Sequence, residues 1–140
     1  MRLPPRLETF AQEVMPVIAG TKRKNGTVQL TPLWFECVDG VIWLNGAETR
    51  DWLRHARRDD TVTLFLVDPK NMWRYAQLIG RFTEVVPDEG GVHIERLAQR
   101  YGRAPYAGPK TGRVKIRFEP DRITGGDNRT PWTDEPSPPG

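Results

Sequence analysis

The sequence is poor in the side chains that most enzymes use as nucleophiles or metal ligands. It has one cysteine, Cys37, almost no serine, and two histidines, His55 and His93, that stand far apart. A single cysteine excludes an intramolecular disulfide and is the usage of a reducing compartment. Neither histidine is spaced from cysteine or the other histidine as metal ligands are, so no metal is expected. There is no phosphate loop and no dinucleotide glycine fingerprint. No run approaches the roughly 18 apolar residues of a membrane span, and the opening MRLPPRLETF lacks the apolar stretch of a secretion signal. The expectation is a soluble cytoplasmic protein. If it is an enzyme, a bound cofactor carries the reaction.

What is present is a turn-rich globular composition. The 140 residues are 37% hydrophobic and 28% charged, with 13 Gly and 13 Pro, enough for one domain that buries roughly two-thirds of its unfolded surface. The net charge of +3 comes mainly from arginine, which weakens a reading as a nucleic-acid coat and suits an anionic small ligand as well. Five Trp are many for this length, and some are expected at a pocket or a partner surface.

Period-two alternation predicts strands at Val14 to Thr21, Thr27 to Val38, Val41 to Asn45, Thr61 to Val67, Trp73 to Val86 and Arg113 to Phe118. Asp39-Gly40 reads as a hairpin turn. Helices are expected at Arg50 to Arg58, with Thr49 as N-cap, at Val92 to Tyr101, and at the shorter Arg6 to Glu13. This order, without βαβ alternation, predicts a mainly β (α+β) fold, a six-stranded antiparallel barrel with two or three helices. Residues 1–123 form the barrel domain, and 124–140 read as a Pro/Gly-rich tail without a strand or helix pattern. Trp132 in that tail is either docked or free.

The most informative segment runs from Asn45 through Arg58, where a strand ends in a small-residue turn and a helix begins. Arg50, Arg54 and Arg58 recur at spacing four on one helical face, and Arg50 in the first turn opposes the helix dipole. A phosphate held by the terminal N–H groups and Arg50 relieves that conflict. The alternative is a solvated cationic face paired with Glu48, Asp51, Asp59 and Asp60. His93, at a helix start near Glu95, reads as a solvated residue.

The chain from about Val17 to Arg122 resembles the flavin- and deazaflavin-dependent split β-barrel oxidoreductases that belong with pyridoxamine phosphate oxidase. The pieces that carry the resemblance are Gly26 to Phe35, Asp39-Gly-Val-Ile-Trp-Leu-Asn45, Arg57-Arg-Asp59 before Thr61 to Val67, and Asp68 to Tyr75 leading to Gly80-Arg81. The resemblance implies a cofactor ring against Thr31, Pro32, Leu33 and Trp34. The turn Asn45, Gly46, Ala47, Thr49 and Arg50 then serves the ring edge and phosphate, with Arg54 and Arg57 beside it. It also implies a homodimer in which the segment holding Trp73, Tyr75 and Gln77 crosses the two-fold to complete each pocket. Where the family usually carries a basic residue this chain has Trp52, which is either helix core or a stacking surface.

The resulting function is a reductase that uses the deazaflavin coenzyme F-420 and passes hydride to an electron-poor conjugated small molecule. Trp34, Trp43 and Trp73 are its aromatic walls, and Tyr75 is a candidate proton donor. FMN in the same fold, and a non-catalytic cofactor-binding protein, are the alternatives. A nucleic-acid partner, drawing on Arg113, Lys115 and Arg117, is not expected.

Overall fold

The computed structural model describes residues 2–133. Three helices, α1 (Pro5–Phe10), α2 (Asp51–Asp59) and α3 (Val92–Arg100), accompany eight strands. These are β1 (Val17–Lys22), β2 (Val28–Leu33), β3 (Phe35–Val38), β4 (Val41–Ala47), β5 (Val62–Asp68), β6 (Asn71–Pro87), β7 (Arg113–Asp127) and β8 (Thr130–Pro131). All lie in one antiparallel sheet, ordered β2-β1-β5-β6-β7-β4-β3 with β8 on β7, curled as a half-barrel.

The expected count of six strands is corrected at two places. The run Thr27 to Val38 is not one strand: it breaks at Trp34, and its halves pair at opposite edges of the sheet, β2 with β1 and β3 with β4. Pro32 withholds a ladder donor next to that break. The second is the two-residue β8. The last long strand also does not stop at Phe118. It continues to Asp127, paired with β6 from Pro87 back to Arg74. The ladder passes Pro120 because its register partner is Gly80, where a Cβ would sit 2.1 Å from the Glu119 carbonyl oxygen. Only glycine permits that approach.

Elsewhere the pattern reads through to the fold. Asp39 and Gly40, with φ of 51° and 75°, make the expected tight turn between β3 and β4. Val62, Leu64 and Leu66 of β5, Val114, Ile116 and Phe118 of β7, and Trp52, Leu53 and Ala56 of α2 are buried in one continuous core.

Trp132 is docked. Only 4% of it is exposed, its ring stacks on Phe10 of α1 with centroids 5.0 Å apart, and its Nε1 donates to the Tyr75 carbonyl at 2.8 Å. Arg74 packs over the Phe10 ring and pairs with Glu13, Asp68 and Asp127, so the segments near the two ends of the chain meet on β6.

The outer face of the sheet is partly bare. Leu30, Met72, Trp73 and Val28 are 58–69% exposed. Pairing sets Pro32, Ile18, Phe65 and Gln77 in one row across β2, β1, β5 and β6. Ile18, Phe65 and Gln77 of that row, with Gly20, Val28, Leu30 and Thr63, line a concavity of about 680 Å³ whose rim carries Lys22 and Asp59.

Candidate functional site

The break at Trp34 and the turn after β4 face each other across a cavity of about 730 Å³, within the range of roughly 300–1,000 Å³ usual for small-molecule sites. Its wall contains Thr31, Pro32, Leu33 and Trp34 from the break, and Asn45, Gly46, Ala47, Thr49, Arg50 and Trp52 from the turn and helix. The other expected residues lie elsewhere. Arg54 is ion-paired with Asp51, and Arg57 donates to Glu48 at 2.9 Å. Trp73 is exposed at the start of β6, Tyr75 packs its ring against Phe65, and Gln77 lies in the outer concavity. Trp43, expected as a wall, instead has the Lys115 ammonium over its ring at 4.3 Å and does not line the cavity.

Local structure explains the cavity's shape. Trp34 stacks on Tyr101 at 5.3 Å and meets Tyr106 edge-on at 6.2 Å, which fixes one wall as a flat aromatic surface. Trp52 is core as well as wall: it is 4% exposed and sits edge-on to Phe82. It reaches the cavity only because position 46 is glycine, where a Cβ would lie 2.6 Å from the Trp52 ring.

The N-terminus of α2 opens into this space without the expected cap. The N-cap residue is Arg50, not Thr49, and no side chain caps the helix. Its terminal N–H groups therefore present partial positive charge to the cavity. Arg50 itself is exposed. Sequence reasoning missed Arg113, read as an outward basic position on β7. It is half-buried, lines the cavity, and lies under the Tyr106 ring, 5.5 Å from centroid to guanidinium carbon. Burial pushes its pKa below the ordinary arginine value and the Arg50 charge adds to this, while Tyr106 and the Asp88 carboxylate charge oppose it. No carboxylate pairs with Arg50 or Arg113 among the described residues.

Behind Arg113 lies a buried polar cluster that corrects the reading of His93 as solvated. His93 is 3% exposed, its Nε2 is 3.0 Å from Glu36 Oε1, and its Nδ1 is 3.0 Å from Asn45 Nδ2. Asp88 accepts from the backbone N–H groups of His93 and Ile94, anchoring the start of α3, and from Asn45. Burial pushes the Glu36 carboxyl up, but hydrogen bonds from His93 and Arg96 together outweigh it and lower its pKa to about 2. A lowered carboxyl pKa stabilises the fold above the ordinary carboxylate range and is lost as pH falls toward about 2. Unfolding free energy should therefore decline between roughly pH 4.5 and 2. Glu36→Gln should flatten that decline in denaturant titrations at a series of pH values.

Cys37 is buried, and that burial, with Glu8 nearby, pushes its thiol up to about 11, so the group stays protonated at neutral pH. Among the described residues no group of three or more His, Cys, Asp or Glu side chains is suited to a metal, and no helix is long and apolar enough to cross a membrane.

An antiparallel half-barrel with three flanking helices and a cation-bearing cavity at the strand break defines the class: the chain has the oxidoreductase-type fold of the pyridoxamine 5′-phosphate oxidase-like proteins. Among solved structures it is similar to an F-420 reductase, with a TM-score of 0.77 and 26% identity over 84% of this chain and 94% of that one. It is also similar to the conserved hypothetical protein Rv2991 of Mycobacterium tuberculosis, at a TM-score of 0.72 and 23% identity over 89% and 84% of the two chains. A Listeria innocua protein described as a candidate pyridoxamine 5′-phosphate oxidase matches at a TM-score of 0.68 and 10% identity, over 87% and 96%. No family model and no curated protein sequence matches the chain.

Proposed function

We propose that the chain is a reductase that holds the deazaflavin coenzyme F-420 in this cavity and passes hydride to an electron-poor conjugated small molecule. The observation that carries the reading is the pair of cations, Arg50 and Arg113, that line one cavity without a carboxylate partner among the described residues. Like charges near a low-dielectric wall repel, and a half-buried guanidinium loses hydration, so an anionic ligand is the group that relieves both.

The residues present fit a phosphate-bearing tricyclic group. Flat apolar walls at Pro32, Leu33 and Trp34 suit a planar ring. The Thr31 hydroxyl oxygen is buried without a hydrogen-bond partner and is available to one of the ring's polar edge atoms. Arg50, Arg113 and the uncapped α2 N-terminus would hold the phosphate. When bound, such a group supplies the hydride chemistry. The chain's residues bind it, orient it and, through Trp34, Tyr106 and Trp52, keep water from its face.

The reading includes a homodimer. A second copy packed on the outer face would cover Leu30 and Val28 and bring its Trp73, Tyr75 and Gln77 toward the cavity, with Tyr75 as the candidate proton donor. Sedimentation is expected to give a dimer, and a stable monomer that binds cofactor at full stoichiometry would contradict this part.

The experiment is titration of purified protein with F-420 and with FMN. Arg50→Ala is expected to weaken the tighter of the two by about 1.5–3 kcal/mol, the scale of a charge-assisted hydrogen bond. The melting temperature of the cofactor-free protein should hardly move, because Arg50 is exposed and makes no ion pair among the described residues. Unaltered affinity would remove Arg50 from the phosphate site, and tighter FMN binding would replace the deazaflavin by the flavin.

A further inference from the structure

The side chains of Glu36 (β3), His93 (α3), Asn45 (β4) and Arg113 (β7) make one hydrogen-bonded line from the protein interior to the cavity wall. Its polarity is fixed at one end. Arg113 has only donors, and its Nε donates to Asn45 Oδ1 at 2.9 Å, so the Asn45 amide nitrogen must face inward. That nitrogen donates to Asp88 Oδ2 at 3.1 Å and stands 3.0 Å from His93 Nδ1. His93 Nδ1 is therefore the acceptor, and the ring carries its proton on Nε2, which donates to Glu36 Oε1 at 3.0 Å. Glu36 is held in turn by Arg96, whose Nε donates to Oε2 at 3.0 Å. Each member dictates the orientation of the next.

The consequence falls on Arg113. Asn45 takes its Nε, Tyr106 covers one face of the guanidinium, and the terminal nitrogens have no carboxylate partner among the described residues. We infer that Glu36, His93 and Asn45 are positioning residues that act through Arg113, aiming its terminal nitrogens into the cavity as the group that selects a phosphate-bearing ligand over its phosphate-free counterpart. This inference rests on the reading that the cavity takes such a ligand. It adds a specificity-determining cation outside the strand-break, turn and helix segments, and a buried line that holds it. The charged and titratable groups facing His93 are Glu36 from β3, Asp88 from the turn before α3, and Arg96 on α3, with Arg113 reached through Asn45.

Two measurements test this. In the ligand-free protein, nitrogen NMR should show His93 as the Nε2–H tautomer and a slowly exchanging Arg113 Nε–H. Asn45→Ala should speed that exchange. An Nδ1–H tautomer, or exchange unchanged by Asn45→Ala, overturns the line of hydrogen bonds whatever the ligand is. Second, affinity for FMN is compared with affinity for riboflavin, its phosphate-free counterpart. Arg113→Ala and Asn45→Ala should each lower the phosphate-bearing affinity about tenfold and lower riboflavin affinity by clearly less. The double variant should be no weaker than Arg113→Ala alone. Glu36→Gln, which keeps an acceptor for His93, should preserve the ratio, and His93→Leu should lose it. Equal losses for both ligands, or independent effects of the two substitutions, overturn the positioning role. A wild type that does not distinguish phosphate-bearing from phosphate-free ligand overturns the cavity reading itself, even where the NMR result stands.

Discussion

Trp52→Lys is expected to abolish stable folding rather than to improve cofactor binding. The ring is 4% exposed, packed edge-on to Phe82 and seated against the bare Gly46 backbone, and Phe82 in turn meets Phe118 in the core. Removing a buried Trp side chain costs about 3–5 kcal/mol through lost transfer energy and the cavity left behind. A lysine stem fills part of that space, but its ammonium must reach the nearby cavity to stay hydrated, in a site already bearing Arg50 and Arg113. The sum is a large share of the roughly 5–15 kcal/mol that holds a domain together. Circular dichroism melts of the cofactor-free variant check this. A native-like melt with tighter phosphate binding would show instead that the family's usual basic residue can be restored here. Trp52→Phe, which keeps an aromatic ring, should fold with a smaller loss.

Trp132→Ala should cost about 3–5 kcal/mol by the same cavity argument, with the Tyr75 carbonyl losing its donor as well. Trp132 stacks on Phe10, so its loss should free α1 together with the C-terminal segment, and hydrogen exchange should rise in both at once. It does not line the cavity, so ligand affinity per folded molecule should stay within about twofold, a difference of roughly 0.4 kcal/mol. A Trp132→Ala protein that melts like the wild type would contradict the docking. A changed affinity would place Trp132 at the cavity mouth.

Elements with a clean period were legible in the sequence. β5 alternates Val62, Leu64 and Leu66 inward, α2 groups Trp52, Leu53 and Ala56, and Asp39-Gly40 marks its own turn. What was not legible was long-range. The run from Thr27 to Val38, interrupted only by Pro32 and the apolar triplet Leu33-Trp34-Phe35, does not say that its halves belong to opposite edges of the sheet. β7 passes Pro120, and reaches Gly125 and Gly126, because Gly80 and the backbone of Tyr75 lie opposite, which only the pairing reveals. The cavity residues of the strand break and helix turn could be named from the family resemblance, since each group is contiguous in the chain. Arg113 and His93 could not. Their partners lie 68 and 57 residues away, at Asn45 and Glu36, and a histidine beginning an amphipathic helix has the same local sequence whether its ring meets water or a buried carboxylate.

The central claim is that the cavity between the strand break and α2 takes a phosphate-bearing flavin-like cofactor through Arg50 and Arg113. The most direct test is an absorption titration of the purified wild-type protein with F-420, FMN and riboflavin, repeated with the Arg50→Ala/Arg113→Ala double variant. The account predicts saturable binding of F-420 at one per chain, weaker riboflavin binding, and loss of that preference in the double variant. Binding of none of the three, or a double variant that binds F-420 as the wild type does, would contradict it.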